Sequence, residues 1–278
     1  MHKCEEITEK LDKLKKIISG YKRALIAFSG GVDSTFLLAV ANEVLVEDVV
    51  AVNISSPWVP ESETSEAKSF CEEHGIEYVS LSKEIEDIEG FAENPKDRCY
   101  ICKKALFSAL LDVAKDRGID VVMEGSNVDD LSDYRPGMKA LKELDIKSPL
   151  REAGLTKAEI RELSKELDLP TFDKPSMACL ASRLVYGETI TRKKLSMVER
   201  AEDFLRTLGF SQLRVRLHET GGSFLARVEV EPSKLEDLMS SEVREQVESE
   251  LKKLGFDFVT VDMGGYRTGS MNKFLDIQ

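Results

Sequence analysis

Three thiols and one glycine turn carry most of the chemistry open to this sequence. Cys99 and Cys102 stand in Arg98-Cys99-Tyr100-Ile101-Cys102-Lys103, a C-x-x-C at the expected start of a helix. At that spacing both thiols can face one point, and the helix dipole together with Arg98, Lys103 and Lys104 favours thiolates. A third cysteine, Cys179, lies in Lys174-Pro175-Ser176-Met177-Ala178-Cys179-Leu180-Ala181-Ser182-Arg183, where Pro175 and polar neighbours predict a presented loop position. Three thiolates can hold an iron–sulfur cluster with one iron left open, or zinc with a fourth ligand, and the pair alone can serve as a redox dithiol. Cys4 reads as an ordinary surface or packing thiol, Cys71 as a buried one, and His74 and His218 as isolated structural or surface histidines. The glycine turn is Ser29-Gly30-Gly31-Val32-Asp33-Ser34-Thr35. Adjacent glycines reach backbone angles closed to other residues, so their N–H groups can share one concavity. A helix starting behind them aims its dipole and unpaired N–H groups at the same place, and Ser29, Ser34 and Thr35 add hydroxyls. The product is a phosphate cradle built mostly from backbone. It is not a Walker loop, which ends in a lysine that is absent here.

The elements that position these groups follow from the apolar pattern. Ala24-Leu25-Ile26-Ala27-Phe28 is a continuous apolar run suited to a strand buried on both faces. Further strands are expected at Asp48–Ile54, Glu77–Leu81 and Asp120–Gly125, with helices at Glu5–Ile18, from Asp33, at Glu63–His74 and at Tyr100–Arg117. Thr156-Lys157-Ala158-Glu159 is a capping box that starts a helix reaching Leu167. Strands alternating with helices imply right-handed crossovers and an α/β doubly wound parallel sheet, with ligands at the carboxyl ends of its strands. Asn53 and Gly125 fall at such ends and are expected to touch adenosine. Beyond Pro175 the pattern changes to helices at Lys193–Leu208 and Ser233–Leu254 and strands at Leu213–Leu217, Phe224–Val230 and Phe258–Val261. The expected division is a nucleotide domain over 1–175 and a smaller α+β domain over 176–278.

Bulk properties narrow the partners. The chain has 278 residues and a formal net charge of −12, which argues against a broad electrostatic grip on nucleic acid. The charged, helix-spaced start does not read as a signal peptide, and no apolar run approaches a membrane span. Five cysteines, an odd number, suit metal binding or catalysis in a cytoplasmic protein better than a disulfide framework.

The pattern SGGxDS/T between a strand and a helix resembles the PP-loop of the ATP pyrophosphatases, which cleave ATP to AMP and pyrophosphate. Together with NPKDRCYICK, EGSNVDDLSDYRPG, KPSMACLASRLVYGETIT, LRVRLHE and DMGGYRTGSMN, it makes the sequence similar to the LarE family from about residue 20 to 272. That family comprises ATP-dependent sulfur transferases that make the pincer nucleotide of the nickel cofactor of lactate racemase. One type sacrifices the sulfur of a single cysteine in the ACLASR block. A second binds a 4Fe–4S cluster through three cysteines, and Cys99, Cys102 and Cys179 place this sequence with it. The resemblance implies that Ser29, Gly30, Gly31, Asp33, Ser34 and Thr35 hold the ATP phosphates, with Asp33 orienting Mg2+ or simply capping the helix. It implies a small, anionic nucleotide substrate, pyridinium-3,5-biscarboxylic acid mononucleotide, for which Arg135, Arg183, Arg214, Arg216 and Arg267 are the candidate partners. Arg214 and Arg267 are expected on the nucleotide phosphate with Ser270 assisting, and one or two of the five in structural salt bridges instead. Glu124, Asp129 and Asp130 would position Mg2+ or the arginines, or cap the next turn. A sulfide or other sulfur donor and a symmetric homo-oligomer are further implications. The rival expectations are thiolation of tRNA or another small molecule, an amidase-coupled synthetase for NAD or GMP, and a non-catalytic sulfide or cluster carrier.

Overall fold

The computed structural model describes residues 2–46, 48–132, 136–175, 178–267 and 271, with side chains for all of these except 2–4 and 131–132. Arg135 and Ser270 lie outside the described residues. The chain divides into two compact units: Met1–Ser56, Glu61–Lys83 and Asp97–Ser176 form the first, and Pro57–Pro60, Glu84–Lys96 and Met177–Gln278 the second.

The first unit runs α1 (His2–Ile18), β1 (Ala24–Ala27), α2 (Val32–Leu45), β2 (Val49–Ser55), α3 (Glu61–Glu73), β3 (Glu77–Ser82), α4 (Arg98–Asp116), β4 (Val121–Met123), α5 (Gly137–Glu143), α6 (Pro149–Ala153) and α7 (Lys157–Glu166). Its strands are all parallel in the order β3-β2-β1-β4. Side chains on a strand alternate between faces, and both faces here are covered. Ala24, Ile26, Val49, Ala51 and Met123 pack with Leu14, Ile18, Phe36 and Leu37 on one side. Leu25, Val50, Val52 and Val122 pack with Phe107, Leu110 and Leu141 on the other. That is why these strands read as unbroken apolar runs. The sheet grows outward from β1 in both directions, so a crevice opens at the carboxyl end of β1, where such sheets bind ligands. The doubly wound expectation holds. The capping box forms as read: Thr156 Oγ1 accepts from the Glu159 N–H, and Glu159 Oε2 accepts from the Thr156 N–H at 2.8 Å. Helices α5 and α6 went unforeseen because each is too short to show a helical period.

The second unit contains α8 (Arg192–Thr207), β5 (Leu213–Thr220), β6 (Ser223–Val230), α9 (Leu235–Met239), α10 (Ser241–Lys253) and β7 (Phe258–Val261). Its sheet has the order β5-β6-β7, antiparallel in the first pair and parallel in the second. The single helix expected over 233–254 is instead broken at Ser240, which takes extended angles (φ −57°, ψ 146°). Its hydroxyl and its N–H both turn back to the Asp237 carbonyl, the local competition that makes serine a poor helix-interior residue. The segments 57–60 and 84–96 belong here because their backbones are bonded into it. Leu180 N–H donates to Trp58 O, Gly187 N–H to Asn94 O and Ile190 N–H to Ala92 O, while the Trp58 and Phe91 rings pack in a tilted pair with centroids 4.6 Å apart. Among the described residues no helix is long and apolar enough to cross a membrane.

Candidate functional site: a backbone-lined anion cradle

After β1 the chain turns at Gly30 with φ +72°. A side chain there would be strained by that angle and would press on Ala67 Cβ and the Glu63 carbonyl of α3, each 3.2 Å from the ideal Cβ position. Gly31 is the N-cap of α2, and among the described residues no cap side chain bonds to that helix end. The first-turn N–H groups of α2 are therefore not taken by a cap residue, and a helix N-terminus of this kind is suited to an anion. Hydroxyls complete the rim. Ser29 and Ser34 Oγ lie 3.0 Å apart, the Gly31 N–H is turned to Ser29 Oγ at 3.4 Å, and Ser34 Oγ donates to Gly31 O. Thr35 is fully buried, and its Oγ1 has no hydrogen-bond partner among the described residues. Asn53 is also buried. Its Nδ2 ties the end of β2 to Phe28 O at 2.8 Å, whereas its Oδ1 has no partner among the described residues. Gly125 closes the other wall, since a Cβ there would lie 3.0 Å from Ser34 N and 3.2 Å from Asp33. Only glycine lets the chain after β4 press against the first turn of α2.

The charges around the cradle are arranged by distant segments. Asp33 Oδ2 accepts from Lys157 Nζ at 2.5 Å, and Oδ1 from Asn127 Nδ2 at 3.3 Å. Lys174 Nζ reaches the Gly30 carbonyl at 3.2 Å. The acidic residues beyond β4 bond backbone and hydroxyl groups, some in their own turn and some in later segments. Glu124 accepts from the Ser126 N–H and hydroxyl and from Ser148 Oγ, Asp129 accepts from the Lys157 N–H at the head of α7, and Asp130 accepts from the Asn127 N–H. Cys99 and Cys102 sit in the first turns of α4, the former exposed and the latter half-buried.

In the second unit Cys179 is exposed and precedes the short 3-10 turn Leu180–Arg183. Arg183 is completely buried and grips Glu202 with two bonds, Nε to Oε1 at 2.8 Å and Nη2 to Oε2 at 2.9 Å. Its Nη1 donates to the carbonyls of Ala178 and Cys179. Arg216 bonds Glu229 and the Ser182 carbonyl. These two guanidinia hold the backbone of the Cys179 loop from below. Burial works to raise the Glu202 carboxyl, but the Arg183 bonds and charge hold it below the usual carboxylate range. Burial, and then the nearby Arg183 charge, push Arg214 down; its guanidinium lies 5.1 Å from the Tyr266 ring centroid. Arg267 is the open one, with 57% of its side chain exposed and Asp262 3.8 Å away. Cys99 and Cys102 belong to the first unit and Cys179 to the second. Among the described residues no group of three or more His, Cys, Asp or Glu side chains is gathered to hold a metal ion.

Comparison with known proteins bears on this arrangement. The NAD synthase family matches residues 5–98, the stretch that contains the cradle. An uncharacterized protein of Synechocystis sp. is 39% identical over 97% of this chain and 99% of its own length. The pyridinium-3,5-bisthiocarboxylic acid mononucleotide synthase of Lactiplantibacillus plantarum is 36% identical over 91% of this chain and 90% of its own length. The chain belongs to the LarE family. It is an ATP-dependent enzyme of the PP-loop type. A further relative, an uncharacterized protein of Methanocaldococcus jannaschii, is 30% identical over 94% of this chain and 98% of its own length.

Within this LarE family member, the PP-loop residues read from the sequence do share one turn, with Asn53 and Gly125 beside it. What sequence reasoning missed is the pair Lys157 and Lys174. They lie 124 and 144 positions beyond the loop residues they touch, and no spacing rule links them. The one available signal was the absence of a lysine from the loop itself.

Proposed function

We propose that this LarE family member is an ATP-dependent sulfur transferase that converts a carboxylate of pyridinium-3,5-biscarboxylic acid mononucleotide into a thiocarboxylate, in the making of a nickel-pincer cofactor. The observation that carries the proposal is the uncapped α2 terminus behind Gly30 and Gly31, ringed by Ser29, Ser34 and Thr35, in a chain similar over nine-tenths of its length to a synthase of that product. In the first step a substrate carboxylate oxygen attacks the α-phosphorus of ATP, and pyrophosphate leaves. The Gly31 N–H, the α2 N–H groups and the hydroxyls hold the departing phosphates, whose charge they stabilise without reorganising. Asp33 is the hard oxygen donor that would hold Mg2+, with Lys157 ceding Oδ2 to it. In the second step a sulfur nucleophile attacks the acyl carbon and AMP leaves, carrying the former carboxylate oxygen. AMP is a far better leaving group than oxide, which is what adenylation achieves.

Cys99, Cys102 and Cys179 are the residues that would hold a 4Fe–4S cluster, since three soft thiols, two exposed and one half-buried, are the donor set such a cluster takes. A bound cluster would supply an open, sulfide-binding iron. Arg267 would take the nucleotide phosphate with Arg214 and Ser270, while Arg183 and Arg216 fix the Cys179 loop. The test is anaerobic turnover with ATP, substrate and sulfide, reading AMP, pyrophosphate and the oxygen-for-sulfur mass change. Turnover beyond one sulfur per chain is expected. Product capped at one sulfur per chain, with Cys179 converted to dehydroalanine, would reject the catalytic scheme in favour of a sacrificial one. ATP cleavage that ignores the substrate, or shifts total tRNA in a gel instead, would reject the substrate assignment.

A further inference from the structure

The loop from Ser29 to Gly31 carries no lysine of its own, but a distant segment brings one to it. Lys174 Nζ donates to the Gly30 carbonyl at 3.2 Å and to Glu66 Oε2 at 2.7 Å, and it pairs with Glu63 Oε1 at 3.0 Å. The lysine side chain is only 16% exposed. Its segment is braced in turn: Arg161 donates from Nη1 to Phe172 O and from Nη2 to Lys174 O, both at 2.7 Å. The ammonium group therefore reaches the loop from a fixed backbone.

A trans peptide is planar, so the carbonyl of one residue and the N–H of the next point in opposite directions. Holding Gly30 O on the Lys174 side turns the Gly31 N–H the other way, toward Ser29 Oγ and the hydroxyl rim. That orientation needs a holder. Glycine crosses readily between positive and negative φ, and a flipped Gly30–Gly31 peptide would present a carbonyl oxygen to the anion where an N–H is required. We propose that Lys174 is a positioning residue of the PP-loop, locking the Gly30–Gly31 peptide so that an N–H faces the bound pyrophosphate. Glu63 and Glu66 serve the lock by keeping the ammonium charged. Burial alone would lower the lysine's pKa, but their hydrogen bonds and charges outweigh it and raise it above the ordinary value. The inference rests on the loop being a pyrophosphate cradle, as proposed above.

Calorimetric titration of the full chain with inorganic pyrophosphate tests it, using wild type, Lys174→Met and Lys174→Arg. Loss of one charge-assisted hydrogen bond to the loop predicts about tenfold weaker pyrophosphate binding by Lys174→Met. Lys174→Arg still donates to a carbonyl and is expected to recover most of the affinity. A folded Lys174→Met chain with wild-type affinity would overturn the lysine's role, and so would an arginine variant as impaired as the methionine one. If Lys174→Met does not fold, Glu66→Gln loosens the ammonium without removing it. Weaker pyrophosphate binding by that variant is expected, and unchanged binding would overturn the proposal. Absence of pyrophosphate binding by the wild-type chain would bring down the cradle itself, and the lock with it.

Discussion

The cradle of the first unit and the arginine cluster of the second both concentrate positive potential in an acidic chain, but by opposite means. In the cradle the potential comes from backbone N–H groups and a helix end, with Thr35 Oγ1 and Asn53 Oδ1 buried and unpartnered among the described residues. In the second unit Arg183 and Arg216 are enclosed and already bonded to Glu202, Glu229 and loop carbonyls. Asn53 Oδ1, an acceptor, calls for a donor, whereas an anion is the partner for the N–H groups and the Thr35 hydroxyl of the first region. The second is largely complete without one, and its outlying Arg267 is the exposed exception. A buried arginine is thus not evidence of a substrate contact. The question is whether its donors are already spent on the protein.

Substitutions can break or sharpen this contrast. The largest effect is expected from Glu202→Gln, which leaves the enclosed Arg183 charge with a neutral partner: stability should fall by about 3–5 kcal/mol in denaturant unfolding. If the melt barely moves, the second cluster is not the structural device described here. Gly125→Ala forces a methyl against the backbone of Asp33 and Ser34. A stability loss of about 1–3 kcal/mol is expected from that overpacking, accompanied by impaired ATP binding measured by equilibrium dialysis. Wild-type binding would show that the first turn of α2 does not contact the nucleotide. Lys157→Met should change stability by only about 0–1 kcal/mol, since the pair with Asp33 is partly exposed. It leaves the Asp33 charge facing the cradle, so ATP affinity in EDTA should drop while affinity in excess Mg2+ is largely retained. Equal losses in both conditions would contradict the displacement of Lys157 by the metal.

The smallest effect is a pH dependence. His218 has a lowered pKa because burial, and then the neighbouring Arg227, disfavour its charged form. The folded state therefore binds fewer protons than the unfolded one just below pH 6.5. This contribution to stability is complete above that value and is lost as pH falls through the lower folded pKa. His218→Gln should flatten the decline of the melting temperature over that window, and an unchanged slope would assign the dependence to other groups.

Much of this was legible in the amino-acid order because it is local. Ser29-Gly30-Gly31 between an apolar strand run and a largely apolar helix fixes a turn, a positive φ and a helix N-terminus within a few residues of each other. The covered strands declare themselves as apolar runs for the same reason, since each residue reports its own burial. Pairing of charges is not local. Lys157 and Lys174 meet the loop, and Arg183 and Arg216 meet Glu202 and Glu229, only because the fold brings separate segments together. The allotment of 57–60 and 84–96 to the second unit is of the same kind, set by backbone hydrogen bonds whose partners lie about 90 residues or more away. Backbone conformation and hydrophobic period are written residue by residue, so the sequence determined the cradle. The partner of a charged side chain depends on what the finished fold places within a few ångströms of it, so the tertiary structure decided which cations guard the loop and which hold the protein together.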